Sequence, residues 1–448
     1  MVNSDNEISS EFVFRLASLR FMRFLALVLI LFFAANVMVA QQCVTGLTFN
    51  RQKCKLEPKM VAQSKTTLPT SFSLKKYCPK PTTQLSFKTS AGWASAYYGM
   101  TILEARKRGL SDIKEITQNS FAPVFAYTSP TNNNCETEAS LVSILDVLKT
   151  KGTPKFMDYP YYCPQNDWPP RDTELTKLGG YVKIFDKDDA KVDAIKKALA
   201  SGNPVVVGLR APPTFCNAEQ AWRPYEEFSD SYDGQAVCIV GYDDNLMGGS
   251  VEIVNSWGSR WGNNGFTRIR YTDLDPWVFS GYQLFIPETS ADREVSINGR
   301  LSHGSLMEVE LTQNNVYKFK KSHSSGTEFG FDASTNFSGY LYITYQSNKG
   351  EYVQLFPGVS ESSALPFVAN RLLFPPEGKN IQLDNNSGSE TICFIVSQVE
   401  LSAEVLEKYT RQNQLTGIEN LFAPHSMKVT SKGVSNEPIV VKVLLDHI

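Results

Sequence analysis

The chain has 448 residues, 42% hydrophobic and 20% charged, with 44 basic against 46 acidic side chains. That balance excludes a disordered tail, a collagen-like chain and a small disulfide knot; without a basic excess or a Lys/Arg block, nucleic-acid binding is excluded too. The length predicts roughly two or three domains, each with its own core. Only four histidines are present, His303, His323, His425 and His447, so the first 302 residues have none.

Residues 24–35 (FLALVLILFFAA) are apolar and follow Arg20 and Arg23. A run of about 12 residues is short of the roughly 20 that a helix needs to cross a bilayer core. A basic lead-in before a short apolar stretch is the pattern of a secretory signal. Residues 1–40 therefore read as a signal peptide, with Met22 as a possible true start and cleavage after Ala40. Met38 at the −3 position is not small, which leaves a retained N-terminal anchor open. Either way the chain is expected outside the cytoplasm, secreted or in the cell envelope, with no other membrane contact.

Eight cysteines follow, an even number that suggests disulfides in an exported chain. Cys238 and Cys393 sit in apolar strand-like runs and read as free buried thiols. Six remain for bridging, and sequence proximity suggests Cys43–Cys54 and Cys135–Cys163. No CxxC pair and no nearby histidine is present, so no metal site is expected.

Residues 41–70 are polar and weakly patterned, an N-terminal extension. From 71 to 287 helix and strand signals mix. Helices are predicted over 90–108, stopped by Gly109, over 138–151 and over 190–200; buried strands over 204–209, 236–240 and 251–254. Residues 288–294 read as a linker. Residues 295–400 alternate as Val316-Tyr-Lys-Phe-Lys, Gly339-Tyr-Leu-Tyr-Ile-Thr-Tyr and 392–396 do, which predicts a β-rich accessory domain. A helix over 402–412 and a tail complete residues 401–448.

Two segments carry the chemistry. One is Gln84-Leu-Ser-Phe-Lys-Thr-Ser90-Ala-Gly92-Trp93-Ala. The other is Gln235-Ala-Val-Cys-Ile-Val-Gly-Tyr242 followed by Asn255-Ser-Trp257-Gly258-Ser-Arg-Trp261-Gly262-Asn-Asn-Gly265-Phe266. Together they resemble the papain-type cysteine peptidases over about residues 71–287. The resemblance implies an α+β fold with a helical lobe and a β-barrel lobe enclosing a groove. It implies no cofactor.

In that family a Cys at a helix N-terminus is the nucleophile, a His its acid/base partner, an Asn orients the His, and a Gln donates to the oxyanion. The resemblance assigns the oxyanion role to Gln84, the orienting role to Asn255, and framework roles to Trp93, Trp257 and Gly258. Gln235 stands at the His position. Gly92 precedes Trp93-Ala as the family's Cys does, which favours it as the nucleophile position; Ser90 instead keeps the family's six-residue step from Gln84. Neither is a cysteine. Glycine has no side chain to attack with, a serine hydroxyl needs a base, and a glutamine amide does not shuttle protons. The expectation is a dead site on an exported peptidase homologue, with a peptide or protein held in the groove.

Two alternatives stay open. One is a hydrolase using Ser90 with Asp233 or a distant cysteine. The other is an interaction protein working through its C-terminal β domain. Plainer roles also exist: Thr89 or Ser90 as helix N-cap, Gln235 bonded to Asn255 as a tie between strands, and Trp257 and Trp261 as core. Asp243-Asp244-Asn245 suggests a solvated turn rather than calcium, and Tyr159 to Tyr162 with Trp168 either lines a groove or packs a loop.

Overall fold

The structure, a computed structural model, describes residues 43–50, 55–64, 67–127, 130–131, 134–159, 161, 173–287, 292–312, 316–412, 419–432 and 437–448. The apolar run 24–35, Cys54, Cys163 and Trp168 lie outside them, and with Cys54 and Cys163 one partner of each suggested disulfide pair. Among the described residues no helix is long and apolar enough to cross a membrane.

The fold is α+β. The predicted helix at 90–108 forms as three joined pieces: α-helical Ser90–Gly92, π-helical Trp93–Met100 and α-helical Thr101–Lys107. Gly109 ends it at φ +66°, a conformation open to a residue without Cβ. The π segment is buried throughout, with Trp93, Tyr97 and Tyr98 packed edge to face. Apolar spacing does not distinguish it from an α-helix. The other two helices begin later than predicted, at Leu141–Thr150 and Val192–Ala200. Ser140 caps the former by accepting from the Ser143 N–H, so 138–140 stay outside it.

These helices pack on a sheet in which Gly180–Asp186, Val278–Phe285, Val205–Arg210, Gly234–Asp243, Ser250–Val254 and Phe266–Arg270 are successive neighbours, all antiparallel. The strands predicted over 236–240 and 251–254 fall inside these elements, and that over 204–209 is shifted by one residue to Val205–Arg210. Gly234–Asp243 is buried except at Asp243, being covered on both faces.

The C-terminal region is a β-sandwich. One sheet contains Asp292–Leu301, Glu328–Thr335, Asn370–Phe374 and Ser426–Lys432; the other contains Tyr317–Phe319, Gly339–Gln346, Gly388–Ser397 and Ile439–His447. Inward residues of both sheets, such as Val295, Phe331, Ile343, Phe394 and Val441, share one core. The helix Ala403–Arg411 is capped by Ser402.

Three sequence boundaries shift. Residues 292–294, read as the end of a linker, open the strand Asp292–Leu301. The tail after 412 is no appendage, since Ile439–His447 pairs with Tyr317–Phe319 on one side and Gly388–Ser397 on the other. The extension 41–70 is stitched into the fold by short backbone pairings: Lys59–Met60 with Gly180–Asp186 and Glu361–Ser362, and Gln63–Ser64 with Asn370–Phe374. Two-residue strands are held by main-chain groups, which leave no side-chain pattern to read.

Candidate functional site

The strand Gly234–Asp243 places Gln235 beside Leu209, and the loop after Ser250–Val254 carries Asn255, Ser256, Trp257 and Gly258. Tyr98 of the central helix pins that loop by donating to the Asn255 carbonyl at 3.1 Å. The loop ahead of the helix brings in Gln84, whose N–H donates to the Ser256 carbonyl at 2.7 Å. Gly258, at φ +83°, donates its N–H to the Thr82 carbonyl at 3.0 Å.

The side chains of this cluster form a closed amide network. Gln235 Nε2 donates to Asn255 Oδ1 at 2.8 Å and to Gln84 Oε1 at 3.3 Å, and the Ser256 hydroxyl donates to Gln84 Oε1 at 2.6 Å. The Ser256 N–H also donates to Asn255 Oδ1 at 2.8 Å, which fixes the Asn255 amide with oxygen inward and makes Gln235 the donor. Gln84, Gln235, Asn255 and Ser256 are all at most 1% exposed. The tie between Gln235 and Asn255 is thus as expected, and Ser256 is the member that sequence reasoning missed. Two buried atoms, Gln235 Oε1 and Asn255 Nδ2, have no hydrogen-bond partner among the described residues.

The two nucleophile positions face different ways. Ser90 Oγ, fully buried, accepts from the N–H of Ala236, next to Gln235, at 3.2 Å. Gly92 is turned toward the helical side: a Cβ there would lie 2.1 Å from the Pro123 carbonyl oxygen and 2.9 Å from the Tyr127 ring. Two residues of helix separate them by roughly 200°, so they cannot share a face. Ser90, rather than the Cβ position of Gly92, is the one that faces the Gln235 strand. Thr89 occupies the N-cap position but makes no capping bond, its hydroxyl pairing with Tyr161 Oη at 2.6 Å.

Among the described residues, the hydrogen-bond partner of the Ser90 hydroxyl is a backbone N–H rather than a titratable side chain. Asp233 is exposed at the surface while Ser90 is not. Tyr161, paired with the neighbouring Thr89, donates its hydroxyl to the Gln84 carbonyl at 2.7 Å and is pushed up to about 12, chiefly by burial; Tyr127 lies against Ala91 and Gly92, its pKa also raised by burial. Cys78, Cys238 and Cys393 are free and buried. Cys78, one of the six cysteines that the sequence offers for bridging, is a free thiol. Burial raises all three pKa values, Cys393 to about 11, and for Cys78 the neighbouring Cys238 adds to the effect while Lys75 opposes it. Protonated, inaccessible thiols are not nucleophiles.

The chain itself lies across this cluster. The Val44 carbonyl accepts from Gln84 Nε2 at 3.0 Å and from Trp257 Nε1 at 2.8 Å. Leu47 N–H donates to the Gly234 carbonyl at 3.0 Å, Thr48 N–H to the Ala139 carbonyl at 3.2 Å, and Phe49 packs on Phe279 with ring centroids 4.0 Å apart. Gly46 and Gly234 permit the approach: a Cβ on Gly46 would lie 2.3 Å from the Lys88 carbonyl carbon, and one on Gly234 2.3 Å from the Leu47 oxygen. Beyond the segment a pocket of about 390 Å³ remains, lined by Thr48, Phe49, Asn50, Glu138, Ser140 and Tyr282 among others. Trp257 and Trp261 are core residues, packed at 5.7 Å with Phe215 between them and Trp222. Asp244 is engaged by Lys196 and by the Tyr271 hydroxyl, and Asp243 caps its own turn, so neither is left to hold calcium. Among the described aromatic pair, Tyr159 packs on Phe125 and Tyr161 on Trp93, both as loop packing.

Residues 123–275 match the family model of the papain family cysteine proteases. The similarity to that family covers about a third of the chain. The match includes Gln235, Asn255 and Trp257 and begins beyond the Gln84 to Trp93 segment. An uncharacterized peptidase C1-like protein of Acanthamoeba polyphaga mimivirus is 33% identical over 108 residues, covering 22% of this chain and 34% of that protein. Cathepsin Q of Rattus norvegicus is 30% identical over 135 residues, covering 28% and 36%. The chain thus spans about a third of the length of these curated relatives. Among solved structures, procathepsin L 3 of the Tenebrio molitor larval midgut aligns with a TM-score of 0.43 at 18% identity, over 55% of this chain and 76% of that one. Xylellain, a cysteine protease from Xylella fastidiosa, gives 0.41 at 17% identity, over 54% and 91%. Within the sandwich, residues 322–400 match a domain of unknown function, DUF4384.

Proposed function

We propose that this chain is an exported papain-family pseudopeptidase that binds a peptide or protein rather than cleaving it. The observation that carries this reading is the amide network of Gln84, Gln235 and Asn255 beside Ser90. Carried over from the family, Ser90 stands for the nucleophile, Gln235 for the base, Asn255 for its orienting partner and Gln84 for the oxyanion donor. A serine hydroxyl whose neighbours are a backbone N–H and a carboxamide has nothing to take its proton. Loss of a nucleophile–base pair lowers turnover on the order of 10⁶-fold in a serine protease. An oxyanion donor by itself recovers only about 3–4 kcal/mol.

The binding role rests on the groove. Its centre already holds an extended stretch of main chain, residues 44–49, through Gln84, Trp257, Gly234 and Ala139. Those groups accept an extended backbone, and the pocket beyond Phe49 offers room for a further ligand next to it. Export is supported by the basic and apolar lead-in of residues 20–35. The test is incubation of the purified chain with unfolded casein. No hydrolysis above background is expected; turnover abolished by Ser90→Ala would overturn the reading.

A further inference from the structure

The end of the sandwich farthest in sequence from the papain-like site gathers three potential metal ligands. His447 ends the strand Ile439–His447, with Gly388 of the neighbouring strand as its cross-strand partner. Glu390, two residues on, lies on the same face of that strand and is a diagonal neighbour of His447. Asp384 is in the turn that precedes the strand, where it accepts from Asn386 N–H and Nδ2, both at 2.7 Å. His447 Nδ1 lies 3.9 Å from Asp384 Oδ1 and 3.9 Å from Glu390 Oε1, and the three ligand atoms fall within 4.8 Å of one another.

A cluster of acidic groups is not by itself a site; the imidazole supplies the second observation. The His447 side chain is fully buried, and its Nδ1 has no hydrogen-bond partner among the described residues. Its Nε2 pairs with Ser325 Oγ at 3.0 Å, which sets the ring with Nδ1 aimed between the carboxylates. Metal-binding histidines are held in this way, one nitrogen on the ion and the other on a protein partner. Glu390 is also buried, and the Tyr345 hydroxyl hydrogen-bonds to it. A buried carboxylate and a buried unpartnered nitrogen facing each other are both satisfied by a cation between them.

We infer that Asp384, Glu390 and His447 bind one divalent transition-metal ion, with zinc as the representative. One imidazole and two carboxylates suit zinc and its neighbours, whereas calcium takes oxygen ligands. Ligand atoms around a tetrahedral zinc are roughly 3–3.6 Å apart. Closing the set requires exposed Asp384 to move inward by up to about an ångström and the buried pair, His447 Nδ1 and Glu390 Oε1 at 3.9 Å, to draw in by about 0.3 Å or more. The ion ties the strand Ile439–His447 to the strand Gly388–Ser397 and the turn at Asp384. The site uses none of the eight cysteines, so no CxxC spacing marks it in the sequence. It is independent of the papain-like groove and of the function proposed for it.

The test is calorimetric titration of zinc into the full chain after chelator treatment, followed by the visible spectrum of the cobalt form. One zinc per chain is expected, with a cobalt spectrum free of thiolate charge transfer. Asp384→Asn, at an exposed position, and Glu390→Gln should each weaken binding at least tenfold, while Asp384→Asn keeps the wild-type melting temperature in chelator. Absence of zinc binding, unchanged affinity in both variants, or a thiolate band from the cobalt form overturns the proposal.

Discussion

Gln84 Nε2 donates a 3.0 Å hydrogen bond to the carbonyl oxygen of Val44. The amide that family resemblance assigns to an oxyanion is thereby engaged with the chain's own backbone, and Trp257 donates to the same oxygen. A tethered segment competes with any free peptide at the high effective concentration of an intramolecular partner. Gly46→Val tests the fit, because its Cβ would meet the Lys88 backbone at 2.3 Å. The expected result is a loss on the order of 1–3 kcal/mol, with faster amide exchange at Leu47 and Thr48, measured by hydrogen exchange and denaturant melts.

Restoring a cysteine distinguishes the two nucleophile positions. Gly92→Cys would drive its side chain into the Pro123 carbonyl, so a loss of roughly 1–3 kcal/mol is expected from overpacking. Ser90→Cys enters a position that already holds a γ atom, with a smaller loss. Thermal unfolding of the two variants side by side reads the difference. Equal stabilities would show that the helix start is not packed as described.

Asn255→Ala removes the acceptor shared by Gln235 Nε2 and the Ser256 N–H. Both donors are buried, so each loses a partner that water does not replace. The Ser256 N–H is orphaned while Gln235 Nε2 keeps its bond to Gln84 Oε1, so a destabilisation of about 1–3 kcal/mol is expected. Chemical denaturation midpoints measure it, and a change below about 0.5 kcal/mol would mean that the network relaxes around the gap.

The three buried thiols predict an alkaline weakness. Burial raises the pKa of Cys78, Cys238 and Cys393 in the folded chain, the last to about 11, while an unfolded thiol titrates at about 8.5. The folded state thus holds protons that the unfolded state releases. Their contribution is complete below about pH 8.5 and declines as pH rises, for Cys393 through about 11. Melting temperatures across pH 7 to 11 should fall from about pH 8.5 upward, and native-state alkylation at pH 8 should leave these three unmodified.

In the sandwich, Phe331 of one sheet meets Phe394 of the other with ring centroids 4.9 Å apart, both fully buried. Phe394→Ala should cost about 3–5 kcal/mol. Calorimetry of the full chain reads this as a shift of the transition that contains the β domain.

Local pattern was enough to place four helices, the buried strands and the family resemblance, while the short helices Ile113–Gln118 and Tyr271–Trp277 went unread. Apolar periodicity marks an element wherever one face is buried, and the runs at 204–209, 236–240 and 251–254 are of that kind. The absence of histidine before residue 303 was likewise complete information. Residue spacing was not enough to choose between Ser90 and Gly92, because both lie at the same helix start and differ in the face they present. That choice depends on what packs against each, Ala236 against one and Pro123 against the other.

Backbone pairing decided what remained. Residues 44–50 have little side-chain pattern, and their place over Gln84 is set by main-chain donors and acceptors and by two glycines that allow close approach. Glu390 and His447 are brought together by strand register, and Asp384 by the turn ahead of that strand. The residues that carry a chemical motif are thus visible in the linear chain when side-chain periodicity marks them. Those assembled through hydrogen-bonded backbone become visible only in three dimensions, since every residue offers nearly the same N–H and C=O.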